Sequence, residues 1–271
     1  MASLIPEDVL RDIFELSVRS TGTLRQATIF SRVSRAVHIW MKPLLLGVYI
    51  CNDGADYRPW PVEPDVSWFA KNGRYIRHML FGMSIPTIEE CISLCPAIQN
   101  LAVWVNWAKT DISKLLPILN RLPLRRLSID LDHLLTLKSN SFTPTDAQAP
   151  LFVNLTHLDL VNECAKWEEL EGVAHLPNLT HLALPETATR DHTGAVRGAL
   201  THCKELKVLI VLYMGFAESV TSLVFDQRET QNISDDPRLV GISCSFLADW
   251  EAGALGRDDM WIKAEQAIAA R

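Results

Sequence analysis

The sequence lacks a long hydrophobic run and a strong excess of charge of either sign. Its longest apolar stretch, VLIVLYMGFA at residues 208–217, is about half of the roughly 20 residues that a membrane-spanning helix needs. The formal net charge of -6 provides no overall positive field for binding nucleic-acid phosphates. With 48% hydrophobic and 21% charged residues, the composition is that of a globular protein. We therefore expect no membrane span and no nucleic-acid partner.

A secretion signal and paired cysteines are missing as well. The first residues, MASLIPEDVL, place Glu7 and Asp8 where a signal peptide needs an uninterrupted apolar core. Six cysteines are spread along the chain without a CxxC pair, so we expect free buried thiols and neither a metal nor another cofactor. These absences predict a cytoplasmic or nuclear protein that is not secreted.

Short catalytic motifs are also absent. The sequence contains no GxSxG nucleophile elbow, no phosphate-binding GxxxxGKS or GxxxxGKT, no dinucleotide-binding GxGxxG and no HExxH zinc helix. The twelve glycines are scattered along the chain. We therefore predict that the chain is not an enzyme and has no catalytic residues.

What the sequence does contain is a repeated apolar pattern. The copies share the form apolar-x-x-apolar-x-apolar and start 22 to 33 residues apart. They are IRHMLF from Ile76, IQNLAV from Ile98, LRRLSI from Leu124, LTHLDL from Leu155, LTHLAL from Leu179, LKVLIV from Leu206 and a weaker LVGISC from Leu239. Helical patterns lie between them, and the polar segment at residues 138–150 predicts a surface loop. Each unit is therefore predicted to be a short strand followed by a helix.

These units resemble leucine-rich repeats of the longer variant, which carry a helix in each unit, over roughly residues 65 to 245. The asparagine that usually follows the last leucine is matched only by Asn106 and by Asn162 or Glu163, so the repeats are predicted to be irregular. The resemblance implies an α/β solenoid with parallel strands on its concave face and helices on its convex face.

The repeat phase predicts an exposed polar face on these strands. Residues on either side of the second apolar position should point away from the helices, and neighbouring strands lie about 4.8 Å apart. Two columns result: His78, Asn100, Arg126, His157, His181 and Val208, and beside them Leu80, Ala102, Ser128, Asp159, Ala183 and Ile210. Their polar members could form a target-binding surface, comprising His78, Asn100, Arg126, His157, Asp159 and His181. Alternatively, His157, His181 and Asp159 could hold zinc, or the whole face could simply be solvated.

The first fifty residues have a different, helical pattern. In LIPEDVLRDIFELSVRS, Pro6 suits the first helical position, and Glu7 and Asp8 suit the positive end of the helix dipole. After a break at STGT, the stretch LRQATIFSRVSRAVHIWMKPLLL predicts one or two further helices. A helical unit of about 45 residues buries only part of its apolar surface alone, so it needs either the repeats or another protein as a neighbour.

This N-terminal stretch resembles an F-box, which often occurs together with leucine-rich repeats. The resemblance lies in Ile5-Pro6-Glu7 with Leu10, Ile13 and Phe14, followed by RVSRAVHIW and KPLLL. It implies binding to the Skp-type adaptor of a cullin-based (SCF) ubiquitin ligase. The matching adaptor-binding positions are Pro6, Leu10, Ile13, Phe14, Val33 and Trp40. We therefore expect a substrate receptor that also binds a target protein of unknown identity; the alternative is a scaffold without ligase function, whose F-box-like helices only cap the solenoid.

The remaining stretch, residues 246–271, predicts two helices separated at GALG, and it resembles the ends of many fungal F-box-like proteins. Its apolar residues are predicted to cap the open end of the solenoid, since terminal repeats need a cover. They are Phe246, Leu247, Trp250, Trp261 and Ile262. The expected organisation is a helical module at residues 1–48, a connector at 49–75, repeats at 76–245 and a helical cap at 246–271.

Overall fold

A single parallel β-sheet organises the chain. The computed structural model describes residues 5–21, 24–52, 65–82, 87–105, 111–137, 141–162, 166–185, 193–213 and 235–271. Within these ranges, eight strands pair in the order of the chain. They are β1 Val48–Cys51, β2 His78–Phe81, β3 Asn100–Val103, β4 Arg126–Ile129, β5 His157–Leu160, β6 His181–Pro185, β7 Val208–Tyr213 and β8 Leu239–Ser243. This is an α/β architecture, compatible with a solenoid-like fold.

From β2 to β7 the strand register matches the alignment predicted from the repeated pattern. At β8 the prediction was wrong by three residues, because Leu209 pairs with Leu239, whereas the pattern starting at Leu239 would pair it with Ile242. His78 pairs with Asn100, and Arg126 pairs with His157. His157 in turn pairs with His181. The two predicted columns of side chains therefore exist as rows across adjacent strands.

The sheet begins one strand earlier than predicted. Residues 49–75 were predicted as a connector, but β1 occupies the beginning of that stretch and pairs in parallel with β2. All four residues of β1 are buried. This strand follows the third helix after a single residue, Gly47, so its short apolar run could not be distinguished from the end of that helix.

Short helices cover one face of the sheet. The α-helices on this side are α4 Val66–Asn72, α5 Ile88–Ser93, α6 Leu116–Leu119, α7 Leu131–Leu135 and α8 Thr193–His202. Short 3-10 helices lie at Gly73–Tyr75, Ile112–Leu115, Asp146–Gln148, Pro150–Phe152, Trp167–Glu169 and Glu171–His175. The α-helix predicted between β5 and β6 is thus replaced by two 3-10 segments.

The main core lies between these helices and the sheet. One residue from each strand forms a continuous buried row across it. The row consists of Tyr49, Met79, Leu101, Leu127, Leu158, Leu182, Leu209 and Leu239. The segment at residues 138–150, predicted to be a surface loop, contributes Phe142 to this core, with its ring centre 5.2 Å from that of Phe152. The prediction of a surface loop was wrong for Phe142, because the residues around it in the sequence are mostly polar and the pattern gives no sign of a buried ring.

Three helices precede the sheet and have a small core of their own. They are α1 Glu7–Thr21, α2 Leu24–Phe30 and α3 Arg35–Leu46. Val18, Ala27, Val37 and Met41 are buried between them. Helix α3 also contacts β1, which attaches the N-terminal module to the first edge of the sheet.

Two C-terminal helices, α9 Phe246–Ala254 and α10 Met260–Ala269, lie on the sheet face opposite to helices α4–α8. Ala254 of α9 packs with apolar residues of β1–β3, and Trp261 of α10 packs with those of β6–β8. The predicted end cap is therefore wrong: this segment covers a face of the sheet. The physical reason is that this face carries apolar side chains near both ends of the sheet, on β1–β3 and on β6–β8, and these side chains need burial. None of the described helices is long and apolar enough to span a bilayer.

Candidate functional site

The sheet face beneath α9 and α10 has a polar centre, which we call the polar strip. It comprises His78, Asn100, Arg126, Ser128, His157, Asp159 and His181. All six predicted target-binding residues belong to it, and Ser128 joins them from the second column. Adjacent strands bring them together although they are far apart in the sequence.

The predicted exposure of this strip was wrong. Asn100, Asp159 and His181 are buried, whereas His78, Arg126 and His157 are half-buried. The cause is the position of α9 and α10, which lie over the face that the repeat pattern left open. Whether these residues bind a target remains a prediction, and any such binding has to involve the covering helices.

A stacked pair of histidines lies in the middle of the strip. The rings of His157 and His181 are 4.1 Å apart and nearly parallel, at 8°. Trp261 of α10 meets both rings edge-on, at 5.2 Å and 5.7 Å. In each case the preceding threonine, Thr156 or Thr180, places its hydroxyl 2.8 Å from the histidine Nδ1. The repeated sequence NLTHL therefore produces the same local hydrogen bond twice.

These histidines are held in the neutral form. Burial lowers the pKa of His157 to about 2, with His181 and Arg126 adding unfavourable positive charge. Burial also lowers the pKa of His181, and this outweighs the opposite effect of Glu265. The Nε2 of His181 lies 3.1 Å from Glu265 Oε1. A neutral His181 that donates from Nε2 to Glu265 leaves its Nδ1 to accept from the threonine hydroxyl.

Asp259 joins the strip to the helical hairpin. Its Oδ2 accepts a hydrogen bond of 2.7 Å from Arg126 Nη1. Its Oδ1 accepts from the backbone N–H groups of Trp261 and Ile262 and so caps the start of α10. One buried carboxylate therefore fixes both the helix end and its position over β4.

A chain of hydrogen bonds ends in an unpartnered atom. Trp104 donates from Nε1 to Ser128 Oγ over 2.7 Å, and Ser128 donates to Asp159 Oδ2 over 2.6 Å. The other oxygen of this carboxylate, Asp159 Oδ1, is buried without a hydrogen-bond partner, as is Nε1 of Trp250. Both residues line a cavity of about 30 Å³, large enough for a water molecule. Burial raises the pKa of Asp159 to about 7, against the hydrogen bond from Ser128.

A metal site is not formed by these groups. Across the described ranges, no group of three or more His, Cys, Asp or Glu side chains is arranged to hold a metal ion. His157 and His181 stack face to face, and Asp159 binds Ser128. The zinc alternative for these three residues is therefore not supported.

The second candidate surface is on the N-terminal helices. Among the described residues, seven of the eight exposed large hydrophobic side chains lie between residues 5 and 39. Val9, Ile13 and Leu16 are 44%, 51% and 65% exposed, and their spacing places them on one side of α1. On the same helix, Arg11 and Glu15 form an ion pair one turn apart, with 2.6 Å between Nε and Oε1.

The predicted adaptor-binding residues divide between the surface and the core of this module. Pro6, Ile13 and Val33 are exposed. Leu10, Phe14 and Trp40 are half-buried, and the Phe14 ring centre lies 6.4 Å from that of Trp40. Three of the six predicted residues are therefore partly buried within the module, and the other three are accessible at its surface. The exposed Val9, Leu16, Ile29 and Ile39 were not predicted as contacts, although the apolar periodicity of α1 already includes the first two.

Other residues of the two sites could not be found from sequence patterns. Asp259 and Glu265 meet partners 133 and 84 positions away. Comparison with protein-family models gives no match for this chain, and comparison with curated proteins gives none either. The function is therefore inferred from the geometry of the polar strip and of the N-terminal helices.

Proposed function

We propose that the chain is the substrate-recognition subunit of an SCF-type (Skp/cullin/F-box) ubiquitin ligase. In this proposal, α1–α3 form an F-box that binds a Skp-type adaptor, and the leucine-rich repeats present a binding surface to a target protein. The chain itself carries out no catalysis, and ubiquitin transfer belongs to other subunits of the complex.

The observation that carries the proposal is the outward apolar stripe on α1. Phe14 and Val18 pack in the module's own core and Leu10, one turn before Phe14, is half-buried, so the helix already has one buried apolar side. Val9, Ile13 and Leu16 form a second apolar side that the sheet does not cover. Burying half of each of these three side chains in a complex would contribute about 1 kcal/mol per residue. A second apolar side of this kind is typical of a protein interface.

The resemblance of this segment to an F-box indicates which partner fits the stripe. Pro6, before the first turn of α1, and Ile13 match the pattern and are both exposed. Phe14 and Trp40 match it as well and, with Phe30, fix the angle between the helices through edge-on and tilted ring contacts. Shape and exposed residues are thus both consistent with adaptor binding.

The proposal is tested by measuring the affinity of the full chain for a purified Skp-type adaptor by calorimetry. We expect the double variant Val9→Asp, Ile13→Asp to bind at least tenfold more weakly than the unmodified chain, because two charges would be placed in an apolar contact. The matched control is Val153→Asp, which makes the same kind of change at a 49% exposed residue of the repeats. The control should bind normally.

One observation favours a second function, that of a scaffold whose N-terminal helices only cap the sheet. Helix α3 packs against β1 and against the 3-10 turn at Gly73–Tyr75. For such a scaffold, well-folded unmodified chain would show no adaptor binding at micromolar concentration. That result would remove the ligase proposal and leave the capping function.

A further inference from the structure

We propose that the polar strip is a recognition surface for an acidic, aromatic helix of a partner protein, and that α10 occupies this surface in competition with that partner. The inference rests on the proposed function, because the partner it describes is the ligase target. It adds the chemical class of that target and the reason why the surface is covered in the free chain.

Helix α10 shows what the strip binds. Its first turns present a carboxylate, an indole and a second carboxylate at Asp259, Trp261 and Glu265. The first carboxylate bonds to Arg126, the indole lies against the two stacked histidine rings, and the second carboxylate reaches His181. The N-cap carboxylate and two side chains one turn apart thus define a pattern that a foreign helix can reproduce.

The charges of the strip select an acidic helix. Arg126 supplies a half-buried guanidinium, and the three histidines supply N–H donors. Asp159 faces the same space, but one of its oxygens is already bound to Ser128 and burial raises its pKa. Carboxylates therefore find donors here, whereas a basic helix would meet Arg126.

The contact between the strip and α9–α10 is polar as well as apolar. The helix-covered face consists of a continuous apolar core. In the contact with the polar strip, Asp159 Oδ1 and Trp250 Nε1 are buried without hydrogen-bond partners beside a small cavity. The Glu265 carboxylate is more than half exposed, and Lys263, which pairs with Asp249 across the hairpin, is half exposed. A partner that supplies better-placed polar groups gains an advantage over α10.

The experiment uses the peptide GRDDMWIKAEQAIAAR, residues 256–271, labelled with fluorescein, as a probe of the full chain. In the unmodified chain α10 competes with the probe, so the apparent dissociation constant equals the intrinsic one divided by the fraction of molecules in which α10 has left the strip. The full-chain variant Trp261→Ala should loosen the internal helix and bind the probe at least tenfold more tightly than the unmodified chain. Adding Arg126→Ala to that variant should remove the gain in affinity for the probe, because the probe then loses the partner of its first carboxylate.

Two controls keep the result interpretable. A probe with alanine in place of the Trp261 and Glu265 residues should bind neither the unmodified chain nor the Trp261→Ala variant. This control separates recognition of the two side chains from nonspecific binding. The full-chain variant Glu265→Ala changes a side chain that is mostly in solvent and should give a smaller gain of the same sign, even if Trp261→Ala unfolds the chain.

Hydrogen exchange of the same proteins decides between the outcomes. If α10 is released in either variant but the probe binds no better than the alanine probe, the strip is not a helix-recognition surface. If α10 stays as protected as in the unmodified chain in both variants, these contacts do not hold it, and the proposal is equally overturned. No adaptor is present in these measurements, so failure here leaves adaptor binding by α1–α3 untouched, and failure of adaptor binding leaves this result standing.

Discussion

At the scale of single residues, the polar strip combines groups whose protonation has opposite effects on stability. His157 has a pKa of about 2 in the folded chain, against about 6.5 in an unfolded one, so the unfolded state binds its proton first as pH falls. Asp159 has a pKa of about 7 in the folded chain, against about 3.8 when unfolded, so the folded state binds its proton first. Acid therefore destabilises the fold through His157 and stabilises it through Asp159.

We predict that the variants His157→Gln and Asp159→Asn change the pH dependence of stability in opposite directions. Between pH 8 and pH 5 the unmodified chain should lose about 2 kcal/mol through His157, a loss that His157→Gln avoids. Asp159→Asn should gain stability relative to the unmodified chain as pH rises from 5 to 7, by a similar amount. Urea unfolding at several pH values measures both differences. Parallel profiles for all three proteins would contradict the burial of these two groups beneath α10.

At the scale of elements, the hairpin of α9 and α10 depends on two glycines for different reasons, one in the last turn of α9 and one in the connection that follows it. A Cβ at Gly253 would lie 2.2 Å from Asp259 Oδ2, the oxygen that binds Arg126. Gly256 has φ of +72° with open space around it. Gly253 thus permits a close approach, while Gly256 permits a left-handed backbone.

We predict that Gly253→Ala and Gly256→Ala both destabilise the chain but differ in their coupling to Arg126. In an ordinary helix Gly→Ala is stabilising by roughly 0.5–1 kcal/mol, but at residue 253 the methyl group should displace the Asp259 carboxylate and reverse the sign. At residue 256 the cost should be about 1 kcal/mol of backbone strain alone. Double-mutant cycles with Arg126→Ala should show coupling for residue 253 and none for residue 256. Equal coupling would mean that the Arg126–Asp259 pair does not depend on this close approach.

Strands β2–β7 and their register could be predicted from the sequence, whereas β1, the register of β8 and the position of α9 and α10 could not. Each unit that contains one of β4–β7 repeats the same apolar-x-x-apolar-x-apolar pattern, and packing against the same core requires that pattern although the units differ in length. Trp261 shows the opposite case, since an apolar helix residue can be buried at a solenoid end or on a sheet face. Which of these occurs depends on contacts such as Arg126–Asp259, whose partners are too far apart in sequence to be paired by pattern alone.

At the scale of the whole molecule, the described residues form one large apolar core and three smaller apolar clusters. The sheet is covered by apolar contacts with helices α4–α8 on one face, and by a mixture of apolar and polar contacts with α9–α10 on the other. The N-terminal helices share only a small core and attach to the sheet through α3. Both proposed binding surfaces therefore lie on the parts of the chain that have the fewest apolar contacts to lose.

We predict that amide hydrogen exchange separates these three parts in the full chain. Strands β3–β6 should exchange slowest, because their amides bond to neighbouring strands within the largest core. The amides of α10 should exchange faster, since it can open without disturbing the helix-covered face. Those of α1 and α2 should exchange fastest, because few buried side chains hold them. Mass spectrometry of peptides from each part measures this order. Protection of α1 equal to that of β5 would mean that the N-terminal helices open only when the sheet unfolds, and the exposed stripe on α1 would then belong to a rigid cap.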